Sequence, residues 1–327
     1  MKEQQQHRLY AKTNCTILRL SAQEPVFKYE FEAGVSEFWN QFSPEFTCAG
    51  VEAVRNVINP KGLMLPHYNA APQLMYIVQG NFFPSQQESA IYTAFWNNVV
   101  AGRGVHGVVI PGCAETYESE MESGSGGFMD RHQKVREFKE GDVIALPGGL
   151  TIWIYNHGEV PVVTVSLFDV SNEANQLDRT FRIFFLAGNY PILGKERPRQ
   201  QVQKEGGFGN IFTSFDDELL ADSFNVDKET ASELKGKGDH RGRIVLAESF
   251  KIAIPREEEE KRGANGLEET LCTMKIRENL AKPSEADIFN PRGGRISTLN
   301  SQKLHILNSL QLSAERGVMY GVMFNPV

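Results

Sequence analysis

Up to about residue 170, short apolar stretches alternate with glycine and proline breaks. Gln73-Leu74-Met75-Tyr76-Ile77-Val78 ends at Gln79-Gly80, and Gly104-Val105-His106-Gly107-Val108-Val109-Ile110 ends at Pro111-Gly112. Asp142-Val143-Ile144-Ala145-Leu146 runs into Pro147-Gly148-Gly149, and Thr151-Ile152-Trp153-Ile154-Tyr155 into Asn156-His157-Gly158. Val162 to Leu167 is a further β-branched run. Side chains branched at Cβ fit a pleated surface, so this pattern predicts a mainly β sandwich or barrel.

The period changes between about Asn210 and Gly236. Phe212, Phe215, Leu219, Leu220 and Phe224 recur mostly at three- and four-residue steps, the spacing of one helix face. Asp227, whose carboxylate can cap free N–H groups, starts a second helical piece with Leu234 toward its end. The stretch Pro255 to Gly266 carries Glu257 to Glu260, Lys261 and Arg262 and almost no apolar residue, which marks a linker. Leu271 to Ile276 and Leu304 to Leu312 then read as strands. The expected organisation is a β domain over 1–250 with a helical extension at about 210–236. A charged linker over 251–265 and further strands over 266–327 complete it.

Composition narrows the function classes. A formal charge of −7 shows no basic face for nucleic acid. No apolar run is long enough to span a bilayer, and the polar start Met1-Lys2-Glu3-Gln4-Gln5-Gln6-His7 lacks the apolar core of a secretory signal. Cys15, Cys48, Cys113 and Cys272 form no CxxC pair, which argues against a zinc site. Two disulfides and four buried thiols are both compatible with their number and spacing.

Chemistry-bearing residues gather in two stretches. Gly62, His67-Tyr68-Asn69, Gln73 and Gly80 have the outline of the first cupin motif, and Gly141-Asp142, Pro147, Gly149 and Asn156 that of the second. A metal-binding cupin uses about three imidazoles and one carboxylate, donors suited to iron or manganese. Here the four slots hold His67, Asn69, Gln73 and Ile152. One imidazole, two neutral amides and an aliphatic chain make a poor divalent site, so no metal and no cofactor are expected. His67 then reads as a histidine packed at the barrel mouth.

Asn265-Gly266-Leu267-Glu268-Glu269-Thr270-Leu271-Cys272-Thr273, followed after twelve residues by Ala286-Asp287, is a longer set of fixed positions. With Ile110-Pro111-Gly112-Cys113-Ala114-Glu115-Thr116, Ser171 to Asp178 and Gly293-Gly294-Arg295-Ile296-Ser297-Thr298, it resembles the legumin-type (11S) seed storage globulins. That resemblance implies a bicupin fold, a double-stranded β-helix (jelly-roll) barrel followed here by part of a second. It implies a nutrient reservoir that is not an enzyme. It further implies disulfides Cys15–Cys48 and Cys113–Cys272 and a cut between Asn265 and Gly266 by an asparaginyl endoprotease. Assembly into trimers and hexamers, and a secretory route to the seed protein storage vacuole, follow by the same resemblance.

Two departures stand out. About twenty extra residues, Asn81 to Ala101, interrupt the family pattern after Gly80, and they read as retained non-coding sequence. Beyond Tyr320 the second barrel is unfinished, leaving about three of its strands. Two other functions compete with storage. One is a small-ligand or sugar-binding cupin with an apolar pocket near Trp153 and Tyr155. The other is a metal-dependent cupin oxidoreductase, which the residues in the four slots disfavour.

Overall fold

The computed structural model describes residues 15, 17, 21–78, 103–113, 134–175, 181–189, 209–236, 238–250 and 274–320. The expectations for Asn81 to Ala101 and for Asn265-Gly266 fall outside these residues.

The apolar runs become β-strands: β1 (Phe27–Phe31), β2 (Gly34–Phe38), β3 (Val51–Ile58), β4 (Gly62–Asn69), β5 (Gln73–Ile77) and β6 (Gly104–Val109). They continue as β7 (Lys134–Phe138), β8 (Asp142–Leu146), β9 (Thr151–Tyr155), β10 (Val162–Asp169), β11 (Ile183–Phe185) and β12 (Ile244–Leu246). One antiparallel sheet runs β1-β2-β3-β10-β5-β8, and the other runs β11-β4-β9-β6-β7 with β12 also on β4. Met75, Ile77, Ile144 and Leu146 of the first sheet share one buried cluster with Met64, Val108, Ile152 and Ile154 of the second. This is the cupin barrel. A short helix α1 (Pro44–Ala49), capped by Ser43, carries Cys48, which is bonded to Cys15 with the Cα atoms 5.4 Å apart.

The helical module is α2 (Asp217–Phe224) and α3 (Lys228–Leu234). Asp227 caps α3 through its side chain, accepting from the Thr230 N–H at 2.7 Å. The apolar stripe divides. Leu220, Ala221 and Ala231 form a small core with Phe212 and Val226, while Phe215, Leu219 and Phe224 stay about half exposed.

The C-terminal stretch corrects two expectations. Of the strand expected over 271–276, the described part, 274–276, is not strand and 271–273 lie outside the described residues; β13 (Arg277–Asn279) follows and extends the first sheet by pairing with β8. Leu304 to Leu312 is not a strand: Ile306–Leu310 is a helix, α4. Leu307 and Leu310, three residues apart, are buried together on this helix beside Leu304 just before it, whereas a strand would have turned Leu307 and Leu310 to opposite faces. β14 (Ile288–Asn290), β15 (Gly294–Leu299) and β16 (Ala314–Met319) form a separate antiparallel sheet.

This stretch packs on the barrel. Leu74, Val143 and Ala145 alternate with the inward residues of β5 and β8, so they face out. They are nevertheless buried, in one cluster with Leu299, Leu304, Ile306, Leu307 and Leu310. Asp142 is the polar joint: it accepts from Arg277 Nη1 at 2.9 Å and Asn279 Nδ2 at 2.7 Å. Gly141 explains the first position of the second motif. Its φ is +83°, and an added Cβ would lie 2.2 Å from the Ala281 Cβ, so only glycine admits this approach.

Candidate functional site

Both motifs fold onto the barrel interior. β4 carries a bulge between Met64 and His67, where Pro66 is tolerated because the ladder is broken. The bulge restores Met64, His67 and Asn69 to one face. His67 stands opposite Ile152 on β9, and Ile152 opposite Val108 on β6. Asn69 ends β4 and Gln73 begins β5 on the facing sheet, while the Gly149 N–H donates to the Asn69 carbonyl at 2.7 Å. Asn156 is purely structural: its Nδ2 donates to the Ile58 and Val160 carbonyls, and its Oδ1 accepts from the Gly158 N–H.

The four slots therefore lie on inward positions, and their chemistry is neutral. The His67 ring is buried and its Nδ1 lies 2.9 Å from the Leu65 carbonyl, so Nδ1 carries the proton and Nε2 is left as an acceptor. Burial, with the nearby Arg243 charge, pushes its pKa down to about 3 against a weaker opposing effect of the Leu65 bond. Asn69 and Gln73 are 3% and 4% exposed, and Ile152 is fully buried. A metal ion fits these residues badly, because one imidazole nitrogen and two amides supply no anionic donor. Among the described residues, no group of three or more His, Cys, Asp or Glu is placed to hold a metal.

Three buried groups escaped the sequence reading. His106 on β6 faces the same interior, with its pKa pushed down to about 3 by burial and by the Arg277 and Arg136 charges. The alternation of Gly104, His106 and Val108 could have placed it inside. Glu52 on β3 stands beyond Phe168 from Gln73, and burial raises its pKa to about 7. Ser166 shares that face on β10. Conversely, Trp153 and Tyr155 do not line a barrel pocket. They alternate with Ile152 and Ile154, face outward, and pack edge-on against Phe250.

Cys15 and Cys48 form a disulfide, and Cys113 is disulfide-bonded as well. Cys272 lies outside the described residues.

Barrel and degenerate site define a cupin, and the sequence matches the cupin family over residues 18–86, 91–192 and 278–326. Cocosin 1 of Cocos nucifera is 45% identical over 95% of this chain and 64% of its own length. The crystal structure of a pumpkin seed globulin superposes with a TM-score of 0.72 at 39% identity, over 94% of this chain and 68% of that one. An 11S globulin from Wrightia tinctoria, described as revealing an auxin binding site, superposes at 0.73 with 38% identity, over 94% of this chain and 66% of that one. The chain belongs to the 11S, legumin-type seed storage globulins. It spans just under two thirds of the length of the coconut relative.

Proposed function

We propose that this chain is a seed nutrient reservoir without catalytic activity. One observation carries the reading: 95% of the chain aligns at 45% identity with cocosin 1, within a family of seed storage globulins. The neutral slots at His67, Asn69, Gln73 and Ile152 support it, since they offer neither a metal nor a charged acid–base pair. Delivery to the storage vacuole, assembly into trimers and hexamers, and cleavage after Asn265 by an asparaginyl endoprotease belong to the same reading. So does a Cys113–Cys272 bond, which is supported by Cys113 and Met274 packing on the same core cluster. Quantifying the polypeptide through seed development and germination tests the function. Accumulation in storage vacuoles followed by loss on germination is expected, and a constant low level in all tissues would overturn it. Digestion with an asparaginyl endoprotease should give a new terminus at Gly266.

A ligand role is the second reading, favoured by the auxin site named for the Wrightia tinctoria relative. A thermal-shift screen that includes auxin decides it: no shift at any concentration removes it.

A further inference from the structure

We propose that the barrel interior beside the degenerate metal position holds a small uncharged hydrogen-bonding guest, cradled by Asn69, Gln73 and Ser166. The guest is water or a neutral molecule of a few heavy atoms. This goes beyond the storage role and does not depend on it.

Asn69, Gln73 and Ser166 are 3%, 4% and 1% exposed. Both amide atoms of Asn69, Gln73 Oε1 and Ser166 Oγ find no partner among the described residues. Their positions converge. Gln73 pairs with Phe168 on β10, so Ser166, two residues earlier, lies on the same face diagonally from it. Asn69 is joined to Gln73 by only Ala70-Ala71-Pro72, at the same end of the barrel. A buried polar group left without a partner costs about 1–3 kcal/mol, and four such atoms at one end of the barrel call for something between them. A buried water typically makes two to four hydrogen bonds to groups otherwise left open. This set offers amide N–H donors, a hydroxyl and carbonyl acceptors.

A neighbouring patch on the same sheet face shows the alternative. Ser36 Oγ donates to Asn56 Oδ1 at 2.7 Å, and Asn56 Nδ2 reaches Thr164 Oγ1 at 3.4 Å, so that patch closes on itself. Size and charge limit the guest. Met75 stands opposite Ser166, Phe168 opposite Gln73 and Ile152 opposite His67, all at most 4% exposed. The four cupin slots carry no charge. Glu52 stands behind Phe168, and Arg243 lies against Met64 and over the Phe185 ring, so neither belongs to the cradle.

Near-isosteric replacement separates a filled site from an empty one. Asn69→Leu and Gln73→Met remove the polar atoms and keep the volume. With a guest bound, the double variant melts roughly 3–8 °C lower. An unchanged or raised Tm overturns the proposal, because deleting truly orphaned groups relieves a cost. A high-resolution crystal structure of the unmodified protein, with mass spectrometry and metal analysis of the same sample, tests it without any variant. Density bonded to Asn69, Gln73 and Ser166 supports it as water when no organic compound is extracted, and as a neutral molecule when one is. A metal ion, an organic acid, or side chains bonded only to each other overturns it.

Discussion

β8 and β14 are both short strands rich in apolar residues, and they meet opposite fates. All five residues of β8 are buried, while all three of β14 are exposed, with Ile288 and Phe289 at 60% and 61%. The difference lies in what comes to cover them. β8 has the opposite sheet on its inner face, α4 and its flanks on its outer face, and β13 along its edge. β14 is an edge strand of a three-stranded sheet, and nothing described covers its apolar side chains. Apolar sequence thus sets which surface needs a cover, and the covering element, distant in the chain, decides whether the surface is core.

The sharpest way to break the contrast is to remove the cover. Leu307→Ala should destabilise the chain by about 2–5 kcal/mol in urea unfolding, the usual cost of a leucine-sized hole in a core. The same packing predicts that a chain cut after Asn265 and then reduced still elutes as one species from a native sizing column, with separation only in denaturant.

Glu52 tests how complete the burial inside the barrel is. Its folded pKa, about 7, lies above the ordinary value of 4.5. Its cost is therefore full above pH 7 and fades as pH falls to 4.5. Glu52→Gln should raise stability by roughly 3 kcal/mol at pH 8 and leave it unchanged near pH 4. The amide oxygen can keep the bond from the Phe181 N–H.

His67 and His106 carry the opposite sign. Their folded pKa values, about 3, lie below 6.5, so their contribution is full above pH 6.5 and is lost as pH falls toward 3. Each should cost roughly 2 kcal/mol between pH 7 and pH 5. Denaturant curves of His106→Leu should show a shallower acid limb than the parent chain.

The smallest effect on stability belongs to the uncovered strand. Phe289→Ser should shift unfolding by under about 0.5 kcal/mol, as surface changes usually do. It should still reduce self-association in sedimentation experiments, because it removes apolar surface beside an open strand edge.

The barrel strands were legible because short apolar, β-branched runs ended by Gly and Pro encode them locally: Asp142–Leu146 and Thr151–Tyr155 match residue for residue. The four cupin slots were legible as motif spacing, and their neutrality as residue type. What could not be read was long-range. The sequence around Leu304 gives a three-residue repeat too short to separate a helix from a strand. Nothing local to Arg277 announces that it pairs with Ile144. His106 and Glu52 were missed because a single ionisable residue in a strand carries no sign of how deeply the other sheet will bury it.

The pairing of β8 with β13 and α4 also has a temporal side. Leu146 and Leu310 are 164 residues apart in the chain. At ribosomal speeds of about 5–20 residues per second, the covering segment follows β8 by roughly ten to thirty seconds. During that interval, whatever part of the barrel has formed on the ribosome presents a bare strand edge and an apolar outer face. The segment that closes it is made well after β8, so a ribosome stalled before residue 310 releases a sticky product.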